Sequence, residues 1–209
     1  MITKRDIFAI IFNLFIFTAE LIIVIIKIPG LPPSSFSYYT LLSNLMGLVA
    51  SFFFLLSACM RFSKFTLAKT LLRYYATCML ALTFIIVIAV LLPMVLSVGM
   101  DPAMLFTEDT AMIHHVINPA LSFISFVFLE DNSLLTKAQP FFMLCITTGY
   151  GIILIILNLT YVVDGPYPFL QVYNMPVWMT ILWFVGIGTG TYFINLFIYK
   201  MGTRRNRLS

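Results

Sequence analysis

The sequence predicts an all-α fold: a polytopic membrane protein, a bundle of six transmembrane helices with both termini in the cytoplasm. Two observations carry this. Six long apolar stretches fill almost all of the 209 residues, at roughly 7–26, 38–60, 74–97, 111–129, 140–162 and 177–199. Each is close to or longer than the ~20 residues that an α-helix needs to cross a hydrocarbon layer. Hydrophobic residues make up 61% of the chain and charged residues only 10%, where a soluble domain would carry about a quarter charged residues. Hydrocarbon supplies no water to the backbone, so each stretch must satisfy its own amides as a helix. The loops are too short for a second folded unit, and residues 1–209 are expected to form a single transmembrane domain.

The charges orient the bundle. Eleven of the twelve Lys and Arg residues (Lys4, Arg5, Arg61, Lys64, Lys69, Arg73, Lys137, Lys200, Arg204, Arg205 and Arg207) fall on one predicted side, and only Lys27 on the other. That is the positive-inside pattern. The net charge of +4 is thereby accounted for by anionic lipid, and no nucleic-acid partner is implied.

The elements follow in order. The first stretch ends at Lys27-Ile28-Pro29 without a small-residue cleavage site, so it reads as a retained helix and not a removable signal peptide. Pro29, Gly30, Pro32 and Pro33 turn the chain into the second stretch. Arg61 to Arg73 spaces basic residues between apolar ones and reads as a cytoplasmic connector lying in the headgroup plane. Pro93 is expected to kink or end the third helix. Asp101-Pro102, followed by Glu108 and Asp109, forms the next outer loop, and Asp164-Gly165-Pro166-Tyr167-Pro168 the last. Asn158-Leu159-Thr160 matches a glycosylation sequon but lies too near the membrane to serve. Gly186 and Gly190 form a small-xxx-small pair that would let a neighbouring helix approach. Cys59, Cys78 and Cys145 share no ligand spacing and read as small core residues, not as a disulfide framework or a metal site.

Polar groups inside a membrane are costly and mark candidate sites. Glu20 falls in the outer half of the first helix. Thr40, Ser43 and Asn44 fall in the first two turns of the second, and His114, His115 and Asn118 in the first two turns of the fourth. Asp164, Tyr167 and Tyr173 come from the last outer loop. Four segments thus deliver polar residues to one depth. Thr40 and Asn44 share a helix face, as do His115 and Asn118, and His114 and Asn118. A hydroxyl facing an imidazole is a nucleophile–base arrangement, with the imidazole taking the proton at neutral pH. Asn44 or backbone amides could hold the oxyanion. Against this stand plainer roles: Thr40 bonding back to its own helix, histidines as interfacial polar residues, and Glu20 as an interhelical hydrogen-bonding or proton-relay group.

The stretches Tyr38-Tyr39-Thr40-Leu41-Leu42-Ser43-Asn44, His114-His115-Val116-Ile117-Asn118-Pro119 and Gly165-Pro166-Tyr167-Pro168-Phe169-Leu170 come in that order at helix 2, helix 4 and the last outer loop. In these the chain resembles a prokaryotic relative of the androgen-induced-gene family of six-helix membrane proteins. Animal members are threonine hydrolases of fatty-acid esters of hydroxy fatty acids. The resemblance implies that Thr40 is the nucleophile. Counted back from Pro119, the spacing of prokaryotic relatives selects His115 as the acid–base, and that of animal members selects His114; His115 is taken first. Some distant relatives use a cysteine to transfer acyl chains between lipids, but no cysteine stands at Thr40. The resemblance also implies the cell membrane of a prokaryote.

The leading expectation is therefore an integral membrane hydrolase of lipid or fatty-acyl esters. Thr40 and His115 (or His114) would be catalytic, with Asn44, Ser43, Glu20, Asn118, Asp164 and Tyr167 supporting. No metal or cofactor is expected, because no His, Asp or Glu set has zinc-type spacing. The alternative is a non-enzymatic transporter or small-molecule receptor using the same polar cluster, and a purely structural membrane protein comes third.

Overall fold

The computed structural model describes residues 3–60 and 66–204, and within them every element is helical. Five helices are long and apolar enough to cross a membrane, which marks the chain as an integral membrane protein. In this article's labels they are α1 (Lys4–Lys27), α2 (Tyr39–Met60), α3 (Thr66–Ser97), α5 (Gln139–Leu159) and α6 (Val177–Arg204). Between them α4 (Ile113–Leu129) is apolar but shorter.

α1 starts at a capping box. The Thr3 hydroxyl accepts from the Asp6 amide, and the Asp6 carboxylate accepts from the Thr3 amide. Its buried residues, Ala9, Asn13, Ile16, Glu20 and Ile23, recur at four- and three-residue spacing, a single stripe turned to the bundle. Ile7, Phe8, Ile11, Leu14, Ile22, Ile25 and Ile26 are exposed on the other side, as lipid-facing residues should be.

α3 begins at Thr66, eight residues before the predicted boundary at 74. The stretch expected to lie in the headgroup plane therefore divides. Residues 66–73 are the first two turns of α3, and Arg61–Phe65 lie outside the described residues. The reason is Arg73. Its guanidinium is fully buried, donating from Nε at 3.0 Å and from Nη2 at 2.8 Å to Oε1 of Glu130. Ser125 Oγ donates to the same oxygen at 2.7 Å, and Asn13 Nδ2 reaches both Ser125 Oγ and Glu130. Hydropathy treats an arginine as interfacial because it cannot see a carboxylate 57 residues away.

Pro93 does not end α3. The helix widens into a π-turn at Val87–Leu91 and continues to Ser97. α4 does the same at Ile113–Ile117, ahead of Pro119. Proline lacks an amide and its ring crowds the carbonyl four residues back. A π-turn bonds each amide to the fifth residue back and so accommodates both problems. In each case the cap is an i−5 bond, from Leu92 N–H to Val87 O and from Asn118 N–H to Ile113 O.

α1, α2, α3 and α4 pack together, and the α5–α6 pair joins them chiefly along α3. One apolar cluster (Tyr74, Cys78, Phe126, Met143 and Ile198 among others) fills the end of the bundle nearer Arg73. A second, with Tyr39, Leu82, Leu154, Tyr167, Phe169 and Leu170, fills the other end. Two packing expectations are corrected. A Cβ added at Gly186 or Gly190 would meet nothing within 4 Å, because this side of α6 faces outward and no helix among the described residues lies against it. Of the cysteines only Cys78 is buried, while Cys59 and Cys145 are exposed on outward faces; a small apolar side chain is as well suited to lipid as to a core.

The Arg73–Glu130 pair yields a stability prediction. Glu130→Gln leaves a buried guanidinium without its counter-charge and should cost about 3–5 kcal/mol, whereas Arg73→Met with Glu130→Met should recover most of that loss. Equilibrium unfolding in detergent micelles measures both; equal losses for the single and double variants would contradict the ion-pair account.

Candidate functional site

The predicted site residues gather at the start of α2, but they fall into two groups that face different ways. α2 begins at Tyr39, after a 3-10 turn at Pro33–Ser37. The Tyr39 hydroxyl lies 3.2 Å from Thr147 Oγ1 on α5. Thr40, half-buried, turns its hydroxyl toward the loop between α5 and α6, where Tyr167 OH lies 3.5 Å from Thr40 Oγ1 and accepts from the Thr40 amide at 3.4 Å. Ser43 donates to the Thr40 carbonyl at 2.9 Å and lies 2.9 Å from Thr83 Oγ1 on α3.

The second group is turned to α1 and α4. Asn118 Nδ2 donates to Glu20 Oε1 at 2.6 Å and to Asn44 Oδ1 at 3.0 Å. Asn44 Nδ2 donates to two backbone carbonyls, Thr40 O at 2.9 Å and His114 O at 3.3 Å. His114 Nε2 approaches Glu20 Oε1 to 3.2 Å without hydrogen-bond alignment, and its Nδ1 lies 3.3 Å from Thr110 Oγ1. The structure thus brings Glu20, Asn44, His114 and Asn118 together from three helices.

The two histidines separate because of the π-turn. With more than four residues to each turn, the residue four before Asn118 stays in line with it while the residue three before swings away. His114 therefore shares the buried face with Asn118. His115 is half-buried, and its Nδ1 lies 2.7 Å from the carbonyl of Leu105, in the single turn Met104–Thr107. A carbonyl only accepts, so this contact assigns the proton to Nδ1 and leaves Nε2 as the acceptor. Among the described residues no hydrogen bond links Thr40 to either histidine. Asp164 is exposed and Tyr173 stacks on Tyr161, its hydroxyl donating to Asn158 O at 2.6 Å. Among the described residues neither is hydrogen-bonded to Thr40 or to Tyr167. Asn158 itself is buried, with Nδ2 on Val163 O and Oδ1 on the Val172 amide. It fastens the loop and is not presented for glycosylation.

The loop between α5 and α6 forms a wall of this site. Tyr167 stacks on Phe169, which meets Trp183 of α6, and Tyr38 packs edge-on against Tyr167. Burial pushes the Tyr167 phenol up from its ordinary value, with the Thr40 hydrogen bonds opposing that, so the hydroxyl keeps its proton at neutral pH. Behind Thr40 and Tyr167 opens a cavity of about 80 Å³ between α2, α3, α5 and α6. Leu82, Ile86, Tyr150, Trp183 and Phe184 are among the residues of its largely apolar wall. Thr180 also lines it, with a buried Oγ1 that has no hydrogen-bond partner among the described residues. Among the described residues no three His, Cys, Asp or Glu side chains group as metal ligands.

Sequence reasoning missed the buried polar residues Asn13, Thr77, Ser122, Ser125 and Glu130, which lie toward the Arg73 end of the bundle. The signal was present for part of them. Asn13 lies two turns before Glu20, and Ser122 and Ser125 continue the face of Asn118 at helical spacing. No family model, curated protein or solved structure matches the chain, so the likeness read from its motifs rests on those motifs.

The loop's fit depends on Gly165, where a Cβ would stand 2.4 Å from the Leu170 carbonyl oxygen. Gly165→Ala should cost about 1–3 kcal/mol as an overpacked position and move Tyr167 off Thr40. Two readouts check this: unfolding in detergent, and the rate at which a water-soluble maleimide alkylates a cysteine placed at Thr40. The alkylation rate should rise when Gly165→Ala is added. Unchanged stability and unchanged alkylation would show that the loop does not depend on this close approach.

Proposed function

We propose that the protein is an integral membrane hydrolase of fatty-acyl esters, with Thr40 as nucleophile. One observation carries the reading: the Thr40 hydroxyl stands where an apolar cavity meets a protonated phenol, Tyr167. The cavity would take hydrocarbon from the surrounding lipid and leave the ester at the polar end. Thr40 Oγ1 would attack the acyl carbonyl and Tyr167 O–H would donate to the oxyanion as it forms. His115, already carrying its proton on Nδ1, presents Nε2 as a base of the required tautomer. It would take the threonine proton directly or through one water, then return it to the leaving alcohol. Water would release the acyl group from Thr40 in a second half-reaction with the same base. Ser43 and Asn44, both bonded to the Thr40 carbonyl, would fix the backbone that aims the nucleophile. Fatty-acid esters of hydroxy fatty acids are the substrates that the motif resemblance suggests, and the site would require no metal or cofactor.

The same reading includes six spanning helices with cytoplasmic termini. Support comes from the basic residues on the predicted inner side. Lys27, on the other side, is paired with Asp109 at 2.6 Å. α4, about 25 Å long at the ordinary helical rise, would cross within a surround of α1, α2, α3 and α6.

Labelling of the purified protein by a fluorophosphonate probe tests the reading. Wild type should label, Thr40→Ala and His115→Ala should not, and Tyr167→Phe should label more slowly by about 10²-fold. His114→Ala should retain labelling. Loss with His114→Ala and persistence with His115→Ala would reassign the base. A folded wild type that does not label, and releases no fatty acid from an ester presented in mixed micelles, would overturn the hydrolase reading.

A further inference from the structure

Two buried polar networks lie along the seam where α1, α2, α3 and α4 meet, and the Thr40 hydroxyl belongs to neither. The first joins His114, Glu20, Asn118 and Asn44. The second joins Asn13, Ser125, Glu130 and Arg73. Between them Thr77 Oγ1 and Ser122 Oγ stand 2.8 Å apart. Asn118, Ser122 and Ser125 are spaced by four and three residues on one face of α4. Successive polar groups are therefore separated by about 6 Å and about 4.5 Å along the axis. One bridging water covers a step of that size.

Groups that would hold such waters are in place. Asn118 Oδ1, Ser51 Oγ, Asn13 Oδ1 and Arg73 Nη1 are all buried and have no hydrogen-bond partner among the described residues. Buried polar atoms of this kind are normally satisfied by ordered water where the surroundings are polar. The seam also has an ionisable group at each end: Glu20 with His114 at one, Glu130 with Arg73 at the other. Arg5 closes that second end, donating to the carbonyls of Leu129 and Glu130.

We infer that the seam is a proton path, a hydrated file running from Glu20 and His114 past Asn118, through Ser122 and Ser125, to Glu130. In each transfer a hydroxyl or water accepts one proton and passes one on, so a single proton enters at one end and leaves at the other with no electron moved. Asn118 and Asn13 orient water and do not relay. Arg73 makes the inner carboxylate a gate: a proton arriving on Glu130 cancels the charge that holds the guanidinium, and the pair must loosen for the proton to leave. The inference does not rest on the hydrolase reading, because no step uses Thr40 or its cavity.

The test uses full-length protein in liposomes that enclose a pH-sensitive dye, with protons driven by a potassium gradient and valinomycin. Wild type should acidify the lumen roughly tenfold faster than protein-free vesicles, as a path for charge through hydrocarbon must. Glu20→Gln and Ser122→Val should fall to the protein-free rate while keeping the elution and unfolding profiles of wild type. If Ser122→Val does not fold, Ser122→Ala removes the same hydroxyl without adding bulk. Thr18→Val should conduct as wild type, since Thr18 is exposed on α1 and its hydroxyl bonds only within its own helix. Wild-type flux at the protein-free rate, or flux that survives Glu20→Gln or loss of the Ser122 hydroxyl, would overturn the path. The seam would then be a fastening between helices and nothing more.

Discussion

Hydrocarbon offers a buried polar group no partner, so each one this chain places inside the bundle must be answered by another part of the chain. The answers run between α1 and α4. Asn13 and Glu20 lie seven residues apart on the first, and Ser125 and Asn118 lie seven residues apart on the second. On antiparallel helices those equal spacings meet at only one register, since a shift of either helix by a turn would leave a carboxylate and three amide or hydroxyl groups facing lipid or leucine. α2 and α3 are then fixed to the same seam by Asn44, Thr77 and Arg73. The remaining contacts, largely apolar, are non-directional and can adjust to what the seam dictates.

This arrangement divides the end of the bundle where α2 begins. On one side of α2 lies the closed polar seam; on the other lies an apolar cavity roofed by the last loop. Asn44 joins the two without opening either, because its amide bonds the carbonyls of Thr40 and His114 and not their side chains. Thr40 is thereby held in place by groups that leave its hydroxyl, among the described residues, only the Tyr167 contact. A threonine one turn further along a helix would ordinarily spend its hydroxyl on the carbonyl four residues back, as Thr18 and Thr148 do here. Thr40 sits in the first turn, and the residue four before it, Phe36, belongs to the preceding 3-10 turn.

Much of the fold was legible because hydropathy reports transfer into hydrocarbon directly. The ends of α1, α2 and α6's start fell within a few residues of their predicted places. It failed where one long-range contact outweighs a local preference. Arg73 is charged and reads as interfacial, yet Glu130 draws it inside and lengthens α3 toward the chain's earlier residues. Gly186 and Gly190 have the spacing of a packing motif, but spacing does not say which side of α6 meets a neighbour. Shared depth grouped Glu20, Asn44 and Asn118 with the histidines, and in the structure these three lie beside His114. Which histidine could not be read from α-helical angles, since the angle itself is altered by a backbone irregularity. Pro119 is the visible cue to that irregularity.

The π-turn at Ile113–Ile117 has a consequence for comparison across distant sequences. Such a turn is a helix that has absorbed one residue beyond its regular complement. Its gain or loss leaves Asn118, Pro119 and everything after them where they were, and changes by one the number of residues between a histidine and the proline. Two chains could therefore hold an imidazole at the same point in space and yet disagree by one position in any gap-free alignment. Equivalence in this segment should be judged by the direction of the side chain, since the distance along the sequence is the quantity the helix is free to vary.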